Sequence, residues 1–460
     1  MRAPRLRIGQ QNPVVIAAFV LLAFSFVLGG ASRQHELRLA FVELAALPLL
    51  ILAAFALLQR DDLSRHRFSL GLLAATAALP LIQLIPLPPA LWMAIPGREQ
   101  LVLALDVAGV TPGFAPLSLT PDRTWGSFLA LIPPVAVFLG VLAAPPSAPQ
   151  RFAQGLVLAT FIAILLGAAQ LASGGTRLYP WATTDAGNVV GFFANRNHMA
   201  ALSLMSLPFA VVLGIRASRR HVSRSQLMMG LAIVYVALTV VAIGVIRSRA
   251  GIILVVPVLL ASLAAAWIAL GRGRPKRSLL AAGLGAALAF AAVGAFALGP
   301  VLERFDTQGA KEGRFENWPF VVDAAASYLP LGSGIGSFDA VYRSVEPLSR
   351  LDATFFNQAH NDFLELWLET GWLGAALVMA FLVWFGRRTW TAWRARVSAS
   401  RDLQRAATIA IATILAHSVG DYPLRTETIV TLFALCCGLL ELAVRSESDL
   451  EAPRSRRRRR

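Results

Sequence analysis

Residues 226–270 read QLMMGLAIVYVALTVVAIGVIRSRAGIILVVPVLLASLAAAWIAL, two apolar runs parted only by Arg247-Ser248-Arg249. A membrane-spanning helix needs about 20 mostly apolar residues. The stretch therefore reads as two spans joined by a hinge barely long enough to turn. Working outward, comparable runs lie near 13–31, 39–58, 68–86, 124–144, 153–172, 198–215, 279–299, 370–386, 403–419 and 427–444. With 226–246 and 250–270 they predict about twelve transmembrane helices, an all-α polytopic integral membrane protein.

Composition agrees with that reading. Of 460 residues, 56% are hydrophobic and only 15% charged, against about 25% charged in a soluble domain. The mean hydropathy is +0.62. So apolar a chain cannot hide its surface in one soluble core, which excludes a cytosolic enzyme and a disordered chain. The two cysteines, Cys436 and Cys437, adjoin in an apolar run and form neither a disulfide framework nor a thiolate site.

The basic residues set the expected topology. With Arg2, Arg5 and Arg7 inside, alternate loops carry 28 of the 42 Lys and Arg residues on the cytoplasmic side. Seven of the other 14 lie in two long outer loops, which the positive-inside rule weighs little. Both termini are expected in the cytoplasm, with the first apolar run retained as a span rather than cleaved as a leader. The expected organisation is a membrane region over 1–299 with about nine spans and an outer loop at 87–123. A large, partly helical periplasmic loop over 300–369 follows, then a membrane region of about three spans over 370–446 and a basic tail over 447–460. The five arginines Arg456–Arg460 read either as an attraction to anionic lipid or as a solvated tail that reinforces topology. Nothing else points to nucleic acid.

The loop 300–369 carries five basic and eleven acidic residues, a net −6 in a chain of +16. A long polar insertion between spans is usually functional, which places the expected site at the outer face. Arg314-Phe315-Glu316-Asn317-Trp318-Pro319 opens an expected helix to about Tyr328, with Pro319 in its first turn. Leu331-Gly332-Ser333-Gly334-Ile335-Gly336 then reads as a turn. No strand precedes it, so it is not a dinucleotide fingerprint. A second helix is expected from an Asn357 cap. On it His360 falls among Phe363, Leu364, Leu366, Trp367 and Leu368, with Asn361, Asp362, Glu365 and Glu369 on the other side.

His360 is open to two readings: a core histidine satisfied by one hydrogen bond, or a general base kept neutral by burial. Arg247, Arg249 and Arg314 either snorkel to the interface or form forks for an anionic headgroup, since guanidinium grips phosphate oxygens in pairs. In Gly191-Phe192-Phe193-Ala194-Asn195-Arg196-Asn197-His198, Asn195 and Asn197 can cap the next span or bond a sugar, and Arg196 lies between them. His198 reads as structural. Glu43, about a turn below the expected surface, either lines a cavity or snorkels. There is no Asp-x-Asp, His-Glu-x-x-His, Cys-x-x-Cys or P-loop, so no metal site or cofactor is expected. A secondary transporter of an anionic solute is the competing class. It would require ionisable groups near mid-membrane, where the chain offers almost none beyond Glu43.

In this arrangement the chain resembles the O-antigen ligase and polymerase superfamily of bacterial envelope glycan enzymes. The marks are Gly191–Asn197, Ser248-Arg249-Ala250-Gly251, Gly313-Arg314 with Trp318, and Ala359-His360-Asn361-Asp362-Phe363-Leu364-Glu365 followed by Glu369-Thr370-Gly371. The resemblance implies metal-independent glycosyl transfer at the periplasmic face of the inner membrane, in lipopolysaccharide or polysaccharide biosynthesis. It implies a glycan donor on undecaprenyl pyrophosphate gripped by Arg249 and Arg314. His360 would activate the hydroxyl of a glycan or lipid A-core acceptor. Asn195, Arg196, Asn197, Arg247 and Asn361 are further candidate substrate-binding residues.

Overall fold

A computed structural model describes residues 12–31, 36–174, 177–180, 187–220, 225–271, 313–350, 356–396 and 398–442. Among the described residues the fold is all-α apart from one two-residue strand pair. Its helices are α1 (Pro13–Leu28), α2 (Glu36–Leu58), α3 (Arg67–Gln83), α4 (Pro89–Trp92), α5 (Glu99–Val107), α6 (Pro121–Leu129), α7 (Ile132–Ala143) and α8 (Ala148–Ala172). They continue with α9 (Arg196–Arg220), α10 (Ser225–Ile246), α11 (Arg249–Leu270), α12 (Gly313–Ser327), α13 (Phe338–Val345), α14 (Asp362–Arg394), α15 (Ala399–His417) and α16 (Glu427–Glu441).

Among the described residues, seven stretches are long and apolar enough to cross a membrane: Leu37–Leu58, Pro121–Ala143, Ala148–Ala172, Arg196–Ser218, Gln226–Ile246, Arg249–Leu270 and Asp362–Arg394. The protein is thus a multi-pass membrane protein. Each of the seven coincides with an expected run. Four more of the twelve expected runs fall on helices that are less span-like. Three of these are short, with α1 at 16, α3 at 17 and α16 at 15 residues. The fourth, α15, opens with Arg401, Asp402 and Arg405. The expected span 279–299 and the basic tail lie outside the described residues.

The spans are apolar all round, and burial sorts their faces. On α2, Val42, Ala46, Leu49, Ala53 and Leu57 are buried, while Leu37, Phe41, Leu44, Leu47, Ile51 and Phe55 are exposed. Both sets step by three or four residues, so one helical face packs and the other meets lipid. Glu43 is half-buried beside the packed stripe. The central post is α9, whose apolar window is 89% buried; α8, α10, α11 and α15 pack around it.

The described parts of the loops at 87–123 and 300–369 pack together into one cap. The first contains α4 and α5 and closes through antiparallel pairing of Pro86–Leu87 with Ala115–Pro116. It then docks on the second: Leu119 N–H donates to Ser333 O at 2.9 Å, and Thr124 Oγ1 donates to Ile335 O at 2.7 Å. The run at Leu331–Gly336 is indeed a turn. The expected helix over 314–328 is α12. It starts at Gly313, so Pro319 sits inside it rather than in its first turn.

Candidate functional site

The second expected helix differs in a way that moves its histidine. The cap is Asn361, not Asn357: its side chain accepts from the Phe363 and Leu364 N–H groups, both at 3.1 Å. Asparagine is a favoured cap because its oxygen satisfies amides that lack an intrahelical partner. His360 therefore precedes α14 rather than lying on its apolar face. Its φ of +50° is left-handed, a conformation that costs a residue with a Cβ about 1 kcal/mol or more. The reversed backbone turns the ring toward the connector between α15 and α16.

There His360 Nδ1 meets Asp421 Oδ1 at 3.2 Å. The histidine side chain is 14% exposed and the aspartate 1%. An ionised carboxylate only accepts, so Nδ1 carries the hydrogen and Nε2 becomes the basic nitrogen. Burial alone would raise the Asp421 pKa. The His360 hydrogen bond and the nearby His198, His360 and His417 rings outweigh it and hold the carboxyl well below its ordinary range. His417 Nε2 lies 3.8 Å from Asp421 Oδ2. The Tyr422 ring is the common wall. It stands edge-on to His360 with centroids 4.8 Å apart and to His198 at 5.4 Å. His198 Nδ1 pairs with Thr426 Oγ1 at 2.9 Å.

A buried ion cluster fixes this pair in register. Arg425 contacts Glu369 at 2.8 Å, Glu365 at 3.5 Å and Asp362 at 4.0 Å. Burial disfavours its charge, but the three carboxylates more than compensate, and its pKa is raised. Each carboxylate also holds backbone. Asp362 accepts from Ser418 Oγ at 2.7 Å and Leu424 N–H at 3.2 Å. Glu365 accepts from Ala359 N–H at 2.9 Å, and Glu369 from Gly336 N–H at 2.8 Å. The polar side of α14 thus faces inward and binds the residue before His360, the glycine turn and the α15–α16 connector together.

The other sequence candidates occupy the same end of the bundle. Trp318 Nε1 donates to Ala359 O at 2.8 Å, so α12 docks beside His360. Arg314 is one helical turn before Trp318; its side chain lies outside the described residues. Arg249 is the first residue of α11 and half-buried, behind a Ser248 cap that accepts from Gly251 N–H. A Cβ at Gly251 would lie 2.9 Å from Ala200 Cβ, so the first turns of α11 and α9 touch. Two residues before Ala200 is His198, in contact with Tyr422, which contacts His360. Arg247 is exposed at the hinge with a φ of +57°. Asn195 Oδ1 accepts from Asn197 N–H at 2.8 Å, so Asn195 caps α9; Arg196 and Asn197 are half-buried in its first turn. Asn361 is occupied as a cap.

Sequence reasoning missed Asp421, Tyr422, Arg425 and the involvement of His198 and His417. The available signal was Gly420-Asp421-Tyr422-Pro423-Leu424-Arg425, an acid and a base in a tight turn on the expected side of the long loop.

No curated protein matches the chain significantly. The family model that does match is that of the O-antigen ligases, over residues 234–379. The match takes in the Arg247–Arg249 hinge, α11, α12 and the His360–Asn361 entry to α14. It leaves out Asn195–Asn197 and the Asp421–Arg425 connector. Over residues 234–379, a stretch that includes the hinge arginines and the histidine just ahead of α14, the chain matches the O-antigen ligase family domain.

Proposed function

We propose that the protein is a glycosyltransferase that moves a glycan from undecaprenyl pyrophosphate to an acceptor hydroxyl at the periplasmic face, without a metal. The observation that carries this reading is the His360–Asp421 pair, a histidine with its Nδ1 engaged by a buried carboxylate. His360 Nε2 takes the acceptor proton as the hydroxyl oxygen bonds to the anomeric carbon. The bond from that carbon to the pyrophosphate oxygen breaks, and undecaprenyl pyrophosphate leaves as an anion. Charge grows on the leaving oxygen, and positive groups placed there lower the barrier. Arg249 and Arg314 supply them, with Arg247 and Arg196 at the rim.

The gathering of His198, Asp362, Glu365, Glu369, Asp421 and Arg425 around the two ends of α14 and α15 supports an enzyme over a transporter, which needs its charges at mid-depth. The charge pattern of the loops supports an inner-membrane protein with both termini in the cytoplasm. The acceptor is lipid A-core for a ligase and a second lipid-linked repeat for a polymerase.

The test is a deletion strain complemented by wild type and His360→Ala, with lipopolysaccharide separated on gels and lipid-linked and secreted polysaccharide assayed. Polymer that accumulates on lipid and is missing from lipid A-core identifies a ligase. Collapse to single repeats identifies a polymerase. Normal glycan from His360→Ala at normal protein level rejects the general-base role.

A further inference from the structure

We propose that, within the transfer reading on which this rests, His417 is a positioning residue: its Nε2–H closes on Asp421 Oδ2 as His360 takes the acceptor proton, and so holds the other carboxylate oxygen on His360. His417 is the last residue of α15 and is 0% exposed. Neither of its ring nitrogens has a hydrogen-bond partner among the described residues. The same holds for Asp421 Oδ2, although that side chain is also buried. Leaving a buried polar atom unpaired is costly, and more so for an ionised carboxylate. The two unpaired groups face each other, with His417 Nε2 3.8 Å from Asp421 Oδ2.

Local structure sets this arrangement. Gly420 N–H donates to His417 O at 3.1 Å, which folds the connector back so that Asp421 returns toward the His417 ring. The next residue, Ser418, is fastened to the entry of α14 twice. Asp362 N–H donates to Ser418 O at 3.0 Å, and Ser418 Oγ donates to Asp362 Oδ2 at 2.7 Å. Asp362 is two residues after His360. Both histidines therefore hang on one junction, His360 facing Oδ1 at 3.2 Å and His417 facing Oδ2. His198 also lies near the carboxylate, but its Nδ1 is engaged by Thr426 Oγ1. His417 is the histidine within ion-pair distance of the second oxygen.

The separation exceeds that of a hydrogen bond, about 2.7–3.2 Å. Hydrogen bonds that serve catalysis are often long in the free enzyme and tighten in the reacting complex. Here a movement of under about 1 Å closes the gap, and the event that closes it is charge formation. The acceptor O–H bond breaks, an Nε2–H bond forms on His360, and that ring becomes an imidazolium with its Nδ1–H still against Asp421 Oδ1. A donor on Oδ2 lowers the basicity of the carboxylate, so the Nδ1 proton stays on His360 and the ion pair persists. An ionised carboxylate only accepts, so His417 offers its Nε2–H and leaves Nδ1 as the acceptor. His417 keeps its own proton throughout. A bond made as the charge develops acts on kcat and leaves KM alone.

The test is transfer kinetics of the full chain in detergent. Lipid-linked glycan extracted from the deletion strain is the donor, and the lipid A-core or lipid-linked repeat identified in that strain is the acceptor. His417→Leu removes the donor group, and kcat should fall about 10- to 100-fold, the worth of a hydrogen bond to a charged group, with KM within about twofold of wild type. His417→Gln places an N–H where Nε2 was and should restore most of the rate. His417→Asn places its N–H where Nδ1 was and should not. In an Asp421→Asn background His417→Leu should cost little more, because the two act as a unit. If His417→Leu does not accumulate, the split between Gln and Asn decides. Equal rates for Gln and Asn, a wild-type kcat for His417→Leu, or additive losses in the double variant would overturn the proposal. His360→Ala and Asp421→Asn report on the transfer reading itself. If they lose transfer while His417→Leu keeps it, only the role of His417 fails; if they keep transfer, the reading beneath it fails.

Discussion

Asp421 Oδ1 lies 3.2 Å from His360 Nδ1 across 61 positions of sequence. The aspartate is in the connector between α15 and α16 and the histidine at the entry to α14. The packing of α14 against α15 and the Arg425 cluster bring them together. The bond selects the tautomer in which Nε2 is basic.

Replacing Asp421 by Asn keeps the shape but lets the side chain donate as well as accept, which favours the wrong tautomer. Glycosyl transfer by purified Asp421→Asn should fall about 100- to 10,000-fold, with less change in KM than in kcat. A rate within threefold of wild type would remove Asp421 from the catalytic apparatus.

The same carboxyl makes a pH prediction. Its pKa is lower in the folded protein than its ordinary value. It therefore stabilises the fold above about pH 4, and that contribution is lost as pH falls through the folded value. Thermal melts in detergent should show wild type losing stability below about pH 4. Asp421→Asn should be less stable than wild type near neutrality and flatter in acid. Parallel curves for the two proteins would contradict the assignment.

Arg425 is the cation shared by three buried carboxylates. Arg425→Met should leave Glu365, Glu369 and Asp362 buried without their cation, at about 3–5 kcal/mol. Little folded protein should accumulate in membranes, as measured by fluorescence-detected size exclusion. Arg425→Lys should recover part of it. Normal folding of Arg425→Met would mean that the cluster is not what holds the connector.

Arg249→Lys tests the proposed grip on pyrophosphate. A lysine keeps the charge but not the paired geometry. Transfer should drop at least tenfold while abundance and melting temperature stay at wild-type values. Full activity would reduce Arg249 to a residue at the membrane interface.

Asn361→Ala removes the cap that separates His360 from α14. Stability should fall by about 1 kcal/mol in chemical denaturation, and transfer should fall further than that loss explains, because His360 is no longer pinned in its left-handed conformation. Loss of stability with full transfer would mean that another contact positions the ring.

The apolar runs were legible because a span must satisfy its own backbone and face lipid, so length and composition alone mark it. Seven runs are long apolar helices and four more are helices. His360 was legible as a histidine beside a helix start, yet its side was misjudged. The helical wheel assumed a start at Asn357, and two asparagines four residues apart offer equally good caps. Tertiary bonds to Ala359 from Trp318 and Glu365 decide between them. Asp421 could not be assigned because its role depends on which histidine it meets. Glu365 and Glu369 looked like a polar face. Their inward orientation follows from Arg425, 56 residues beyond Glu369, which no local pattern reveals.

The helix that carries the cluster is not one rod. At Gly371 the backbone leaves helical geometry with φ 56° and ψ −140°. A Cβ there would collide with Pro330 O and sit 2.9 Å from Gly332 N, and Trp372 N–H donates to Pro330 O at 3.0 Å. Above the break, Asp362–Thr370 is tied to the cap; below it, the remainder of α14 runs through lipid. Spans answer bilayer thickness by tilting, and a rigid rod would transmit that tilt to the site. The break at Gly371 interrupts the helical axis, so a lean of the lower segment is not carried along one continuous rod to the entry where His360 meets Asp421.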